Sequence, residues 1–328
     1  MDAFDSIYCN NIETLKEYLT TGNINVKNER GLSLLHNAII FNNQEAFELL
    51  LDNYIDINIT DNYGDTPLMY AINSNKIGFA KNLLRHGADL YIKNKDGQTA
   101  LYKACYLGRE QMVYLLLELL DFNLYERDNK DETIFMALVR SRNITLLEKV
   151  KIDDKIIEEK NYLGETPLHI AAKSGDCKIV SYLIEHKAFV NAKNNAMETP
   201  LFYAAKSMSL EVIDLLIKNG AIPDCKSKTG QNVYDYAPTN PILKYLEEKS
   251  DYYNLDSYKT NFPLHYSIII EDMNLVMKNL VIRNINRSDQ FGYKPIILAN
   301  LIGNSDIVKL LKKFNSWFFF IMLYNECS

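Results

Sequence analysis

Apolar residues along this chain fall in short stripes with helical spacing, and the stripes return at nearly constant intervals. Phe79, Ala80, Leu83 and Leu84 share one face of a helix. The same offsets reappear as Ala46, Phe47, Leu50 and Leu51, as Met112, Val113, Leu116 and Leu117, as Ile179, Val180, Leu183 and Ile184, and as Val212, Ile213, Leu216 and Ile217. Each stripe is read as the core face of one helix. Ahead of it stands a second, shorter helix announced by a turn. In Asp61-Asn62-Tyr63-Gly64-Asp65 the glycine supplies a positive φ, Thr66 caps, and Pro67 takes the first helical position, where a missing N–H costs nothing. Leu68 and Ala71 give that helix its inner face, and Gly87 stops the helix that follows.

The turn is the most regular signal. Leads at Gly31, Gly64 and Gly97 are 33 residues apart, Asp131 follows after 34, and Gly164, Met197 and Gly230 each follow after 33. Looser copies start at Thr260 and Gly292. A period of this length implies a stacked solenoid in which no unit buries its apolar side alone. Departures are expected to mark irregular places: an insertion near Leu119 to Arg127, and Ala237-Pro238-Thr239-Asn240-Pro241, which interrupts the unit after Gly230. The first unit keeps mainly Ile12, Leu15, Tyr18 and Leu19, as a terminal capping repeat does.

Turn, Thr-Pro-Leu-His-x-Ala at Thr166–Ala171, second helix and Gly-Ala-Asp at Gly87–Asp89 together resemble the ankyrin-repeat pattern, over residues 12 to 314. The resemblance implies an all-α ankyrin solenoid of about ten units, with hairpin-like loops set across the helix pairs and a protein partner on the concave side. The expected organisation is a stack over 1–236, an irregular joint over 237–260, degenerate units over 261–314 and an apolar tail over 315–328. In the tail, Ile307, Leu310, Leu311, Phe314, Trp317, Phe318 and Ile321 continue a helical period. It reads as a cap over the open end of the stack, with a membrane-surface or hydrophobic partner contact as the alternative.

Composition narrows the function. The net charge of −6 argues against a general nucleic-acid binder. Five scattered cysteines without a paired spacing fit a reduced compartment, and no stretch is apolar for long enough to span a membrane. The acidic start, Met1 to Asp5, lacks the features of a secretion signal. A monomeric, cytoplasmic protein is expected, acting in a host cell if it is an effector.

No phosphate loop, metal-ligand pair or nucleophile motif stands out, so neither catalysis nor a cofactor is expected. His36, His169 and His265 occupy one place in their units, and the resemblance implies that they bridge neighbouring loops. Asp65, Glu132, Glu165 and Glu198 each follow a lead position and read as a solvated ladder. Nine residues after the lead, on the inner face of the first helix, stand Ile40, Asn73, Tyr106, Arg140, Lys173 and Lys206. The resemblance places these sites in the groove, neutral or aromatic at first and basic in the middle. Lys95, Lys130, Lys193 and Lys226 lie in nearby loops, and Tyr63 and Tyr162 at loop tips. The partner-binding set is therefore Tyr63, Asn73, Lys95, Tyr106, Lys130, Arg140, Tyr162, Lys173 and Lys206, facing a protein that is acidic at the contact. The second reading is an adaptor or effector that links a bound client to a second machine, such as a ubiquitin ligase or a host pathway, through residues 250–328.

Overall fold

The computed structural model describes residues 2–119, 123–236, 259–289 and 293–325. Among these residues the regular elements are helices, and extended pairing is confined to two isolated antiparallel bridges, Lys27 with Ser33 and Arg127 with Thr133. The all-α expectation therefore holds. Two compact units divide the chain, Met1–Lys151 and Ile152–Ser328.

The first unit is a run of helix pairs: α1 (Ala3–Tyr8) with α2 (Ile12–Thr21), α3 (Leu34–Ile40) with α4 (Gln44–Asp52), α5 (Pro67–Asn73) with α6 (Ile77–Arg85), α7 (Ala100–Tyr106) with α8 (Glu110–Leu117), and α9 (Ile134–Ser141) with α10 (Ile144–Lys149). First helices of successive pairs pack on one another, α1 on α3, α3 on α5, α5 on α7 and α7 on α9. The terminal repeat is more complete than its sequence indicates. α1, capped by the Asp2 carboxylate 2.7 Å from the Asp5 amide, supplies the first helix that has no Thr-Pro-Leu signature.

Local chemistry explains the regularity. Ser33, Thr66, Thr99 and Thr133 cap the first helices through their hydroxyls, and Asn11, Asn43 and Asn143 cap second helices. Where Lys76 and Arg109 replace a polar cap, the cation reaches back to carbonyls at the end of the preceding repeat's first helix, Ile39 and Ile40 for Lys76 and Asn73 for Arg109. The core is the set of stripes: Phe47, Leu50, Ala80, Leu83, Met112 and Leu116 are buried with their equivalents.

The second unit holds a 3-10 turn at Ile156–Glu158, then α11 (Pro167–Ser174), α12 (Cys177–Glu185), α13 (Pro200–Lys206), α14 (Leu210–Lys218) and the short α15 (Val233–Tyr236). It continues with α16 (Pro263–Ile269), α17 (Met273–Asn279), α18 (Ile282–Ile285), α19 (Pro295–Ile302) and α20 (Ser305–Asn325). The boundary at Lys151 lies inside the stretch read from sequence as one stack. α10, which ends just before it, has 6 residues where α4 and α6 have 9. The joint expected at 237–260 lies, as far as residue 258, outside the described residues. α20 runs unbroken to Asn325, which agrees with the helical period of the tail. The capping contacts expected of Trp317 and Phe318 fall outside the described side chains.

Within this unit the chain departs from nearest-neighbour stacking. Lys193 Nζ lies 2.6 Å from Glu271 Oε1, and the Tyr293 hydroxyl donates to the Lys187 carbonyl at 3.1 Å, so Glu271 and Tyr293 reach a loop 78 and 106 residues upstream, more than one repeat away.

The backbone at the lead position is left-handed whether or not glycine occupies it: φ is +77° at Gly97, +55° at Asp131 and +60° at Met197. The turn between the two helices of a repeat repeats the demand, at Gly108 (+63°) and Gly175 (+69°) but also at Met208 (+59°). At Gly97 an added Cβ would also lie 2.4 Å from Asn129 Oδ1 of the next loop. Gly97→Ala is expected to lower stability by at least about 1–2 kcal/mol. Met208 is 56% exposed, so Met208→Gly removes strain without emptying the core and should raise stability by about 0.5–1 kcal/mol. Urea unfolding midpoints at constant slope check both signs.

Candidate partner-binding surface

Three residues before the leads from Gly31 to Met197, an Asp or Asn organises the turn. Asp61 Oδ1 accepts the amides of Tyr63 and Asp65, each at 2.8 Å, and Asn94, Asp128, Asn161 and Asn194 repeat the arrangement in their own loops. This is an Asx turn, and it directs the side chain after the lead inward. The four acids read as a solvated ladder are consequently buried, with exposures of 9% at Asp65, 5% at Glu132, 3% at Glu165 and 7% at Glu198. That reading is corrected, and the reason is the turn.

Each of these carboxylates has its own partners. Asp65 accepts from Asn94 Nδ2 at 2.8 Å and Lys103 Nζ at 2.6 Å, both in the next repeat. Glu132 holds the Arg140 guanidinium, with Nε 2.8 Å from Oε2. In the second unit Glu198 holds Lys206 at 2.8 Å, while Glu165 accepts from Asn161 at 2.8 Å and from the Tyr203 hydroxyl of the next repeat at 2.7 Å. Burial pushes the Glu165 carboxyl up, but the hydrogen bonds from Asn161 and Tyr203, with the Lys173 charge beyond them, leave it below the ordinary value. Burial and the same carboxylate push the Tyr203 phenol up.

The histidines do bridge loops. His36 Nδ1 accepts from the Ser33 amide at 3.1 Å, so Nε2 is the protonated nitrogen and donates to the Asp65 carbonyl of the next repeat at 3.1 Å. His169 does the same between Thr166 and the Glu198 carbonyl, at 3.1 and 3.0 Å, and His265 Nε2 lies 2.9 Å from the Tyr293 carbonyl. Burial lowers both His36 and His169 from 6.5 to about 4. Between pH 4 and 6.5 the unfolded chain therefore binds more protons than the folded one, and stability falls as the solution is acidified through that window. The loss should approach about 3 kcal/mol for each histidine. His36→Gln and His169→Gln variants should flatten the pH profile of the urea midpoint over this range; an undiminished acid limb would contradict the assignment.

The sequence-predicted contact residues divide between the units. In the first unit Tyr63 is 72% and Tyr106 46% exposed, Asn73, Lys95 and Lys130 are exposed, and Arg140 is partly covered by its pairing with Glu132. In the second, Tyr162 is exposed at a loop tip, Lys173 is exposed with its ammonium 6.0 Å from the Tyr203 ring, and Lys206 is paired with Glu198. Sequence reasoning missed exposed apolar neighbours at the ends of α1, α3 and α7, whereas the end of α5 carries the polar Asn73 and Ser74. Phe41 and Leu107 follow Ile40 and Tyr106 at the ends of α3 and α7, and Tyr8 at the end of α1 meets Phe41 edge to face at 5.0 Å. All five side chains are exposed. The signal was present: two consecutive large apolar residues at the close of a helix whose inner stripe is already filled.

Among the described residues no group of His, Cys, Asp and Glu is arranged to hold a metal ion, and no helix is long and apolar enough to cross a membrane. The family model for ankyrin repeats in three copies matches residues 3–94, 76–155 and 143–228. A putative ankyrin repeat protein of fowlpox virus, FPV219, is 38% identical over 96 residues, 28% of this chain and 22% of that protein. The B-cell lymphoma 3 protein homolog of Mus musculus is 33% identical over 109 residues, 32% of this chain and 24% of that protein. The matches thus span about a quarter or less of these relatives' own length. The crystal structure of the ankyrin repeat domain of Bcl-3, a member of the IkappaB protein family, superposes with a TM-score of 0.51 at 23% identity, covering 67% of this chain and all of that one, and so shares the fold. With its turns, caps, interloop histidines and a family match from residue 3 to residue 228, the chain belongs to the ankyrin-repeat family.

Proposed function

We propose that this chain is a non-catalytic protein-binding scaffold, and that its first unit makes the main contact through the rim formed by Tyr8, Ile40, Phe41, Tyr106 and Leu107. The observation that carries the reading is the contrast between this exposed apolar rim and the compensated charges beside it. Lys103 and Arg140 are each held by a buried carboxylate of the fold, whereas no such duty falls on the exposed rings. Aromatic side chains at a rim offer large contact area at small entropic cost. An acidic partner patch would meet Lys95 and Lys130, which are exposed in the same unit. Arg140 and Lys206 would contribute to such a contact only after leaving Glu132 and Glu198, which makes them weaker candidates than their position in the repeat suggests.

A photo-crosslinking residue placed at Tyr106 in the native cell should trap a protein partner. The same residue at Glu48, exposed on the second helix α4, should not. With that partner in hand, Phe41→Ala combined with Tyr106→Ala should weaken binding at least about tenfold while leaving the unfolding midpoint close to that of the parent. Equal trapping at Glu48, or unchanged affinity in the double variant, would remove the rim from the contact.

A further inference from the structure

The loop after α12 is buried where its counterpart after α6 is open. Residues Ala188 to Lys193 are all buried, whereas Asp89, Tyr91 and Lys93 at the equivalent places after α6 are exposed. What covers them is the C-terminal part of the same unit. The Phe189 and Tyr293 rings meet edge to face at 5.5 Å, and the Tyr293 hydroxyl donates to Lys187 O. Lys193 pairs with Glu271, whose other oxygen accepts from Asn304 Nδ2 at 2.8 Å. A cavity of about 130 Å³ remains beside this contact, walled by Ile184, Phe189, Val190 and Ile269.

Two sequence changes accompany the contact. In three other repeats an Asn side chain accepts the amide of the residue 31 positions on: Asn25 from Asp56 at 2.9 Å, Asn58 from Asp89 at 2.8 Å and Asn191 from Ile222 at 2.9 Å. Here Glu158 takes the place of Asn and accepts from Phe189 at 2.7 Å, and Phe189 takes the place of Asp56 and Asp89. An apolar ring where Asp stands in two of these repeats and Ile in the third favours a cover. A carboxyl where Asn stands elsewhere makes the covered loop titratable, since Asn carries the same acceptor with no charge at any pH.

We propose that α16, α17 and α19, with Glu271, Tyr293 and Asn304 beside them, form a detachable cover on the 188–193 loop, and that Glu158 sets how tightly the cover sits, holding it when the carboxyl is neutral and loosening it when the carboxyl is charged. Burial raises Glu158 to about 7, against the opposing effects of the Phe189 amide and Lys160. The groups facing it are Lys160 from its own segment and Tyr293 from the cover; Tyr293 in turn faces Asp289, and its carbonyl is held by His265, which faces Asp289 and Arg287. Lys160 donates to the Lys193 carbonyl at 3.0 Å, and Lys193 and Glu271 offset one another. Uncovering returns water to Glu158 and moves it toward the ordinary 4.5. The covered state then binds more protons between pH 4.5 and 7, so covering weakens as pH rises through that window and levels off above it.

Hydrogen exchange of the full-length chain between pH 5 and 8, corrected for intrinsic rates and referenced to amides of α7, tests this. Protection of peptides spanning 188–193 should fall by up to about tenfold per pH unit through the window. It should be level in Glu158→Gln and in Glu158→Asn, the latter restoring the residue of the other repeats. Glu271→Ala should deprotect 188–193 at every pH while leaving α7 unchanged. A fall of the same size in both Glu158 variants would overturn the role of the carboxyl, and full protection in Glu271→Ala would overturn the cover.

Discussion

At the turns led by Gly64 and Gly164 a carboxylate is buried that its own repeat does not fully satisfy, and the next repeat completes it, through Asn94 and Lys103 for Asp65 and through Tyr203 for Glu165. The Asx turn at Asp61 aims Asp65 inward; its carboxylate is then met by Asn94 and Lys103 and its carbonyl by His36. A buried carboxylate without such partners costs several kcal/mol, roughly the scale of a whole repeat's contribution. The polar ladder is thus as much a condition of stacking as the apolar stripes, and it specifies register where stripes of Leu and Ile tolerate slippage.

The helices and their order were legible because caps, stripes and turns agree at each repeat. Thr66 and Pro67 mark the start of a helix by chemistry that acts over a few residues, and the stripe Phe79, Ala80, Leu83 and Leu84 fixes the face of the next. The Asp or Asn before the leads from Gly31 to Met197 was equally visible, but its consequence depends on the left-handed residue between, so the burial of Asp65 and Glu165 could not be read from their polarity. α1 was hidden because six residues carry too little periodicity to declare a helix. The pairing of Lys193 with Glu271 joins places 78 residues apart in sequence, and no repeat-based expectation contains it.

These features separate what the surface must do for the fold from what it is free to do for a partner. Arg140 and Lys206 belong to the set read from sequence as partner-binding and Lys103 lies on α7 with Tyr106, yet each holds a carboxylate that the turn has already buried. The rings of Tyr8, Phe41 and Tyr106 have no comparable duty and remain exposed. Within the second unit the apolar Phe189 is buried and packs edge to face on Tyr293, just ahead of α19.

A double-mutant cycle on Asp65 and Lys103 measures the ladder most directly. Lys103→Met, Asp65→Asn and the double variant are each unfolded in urea and compared with the parent. If the repeats are tied through the buried carboxylate, the two single losses will exceed the double loss by about 2 kcal/mol or more, since either change alone strands a partner in the interior. Losses that add to within about 0.5 kcal/mol would mean that the pair is an ornament on a stack held by its apolar stripes alone.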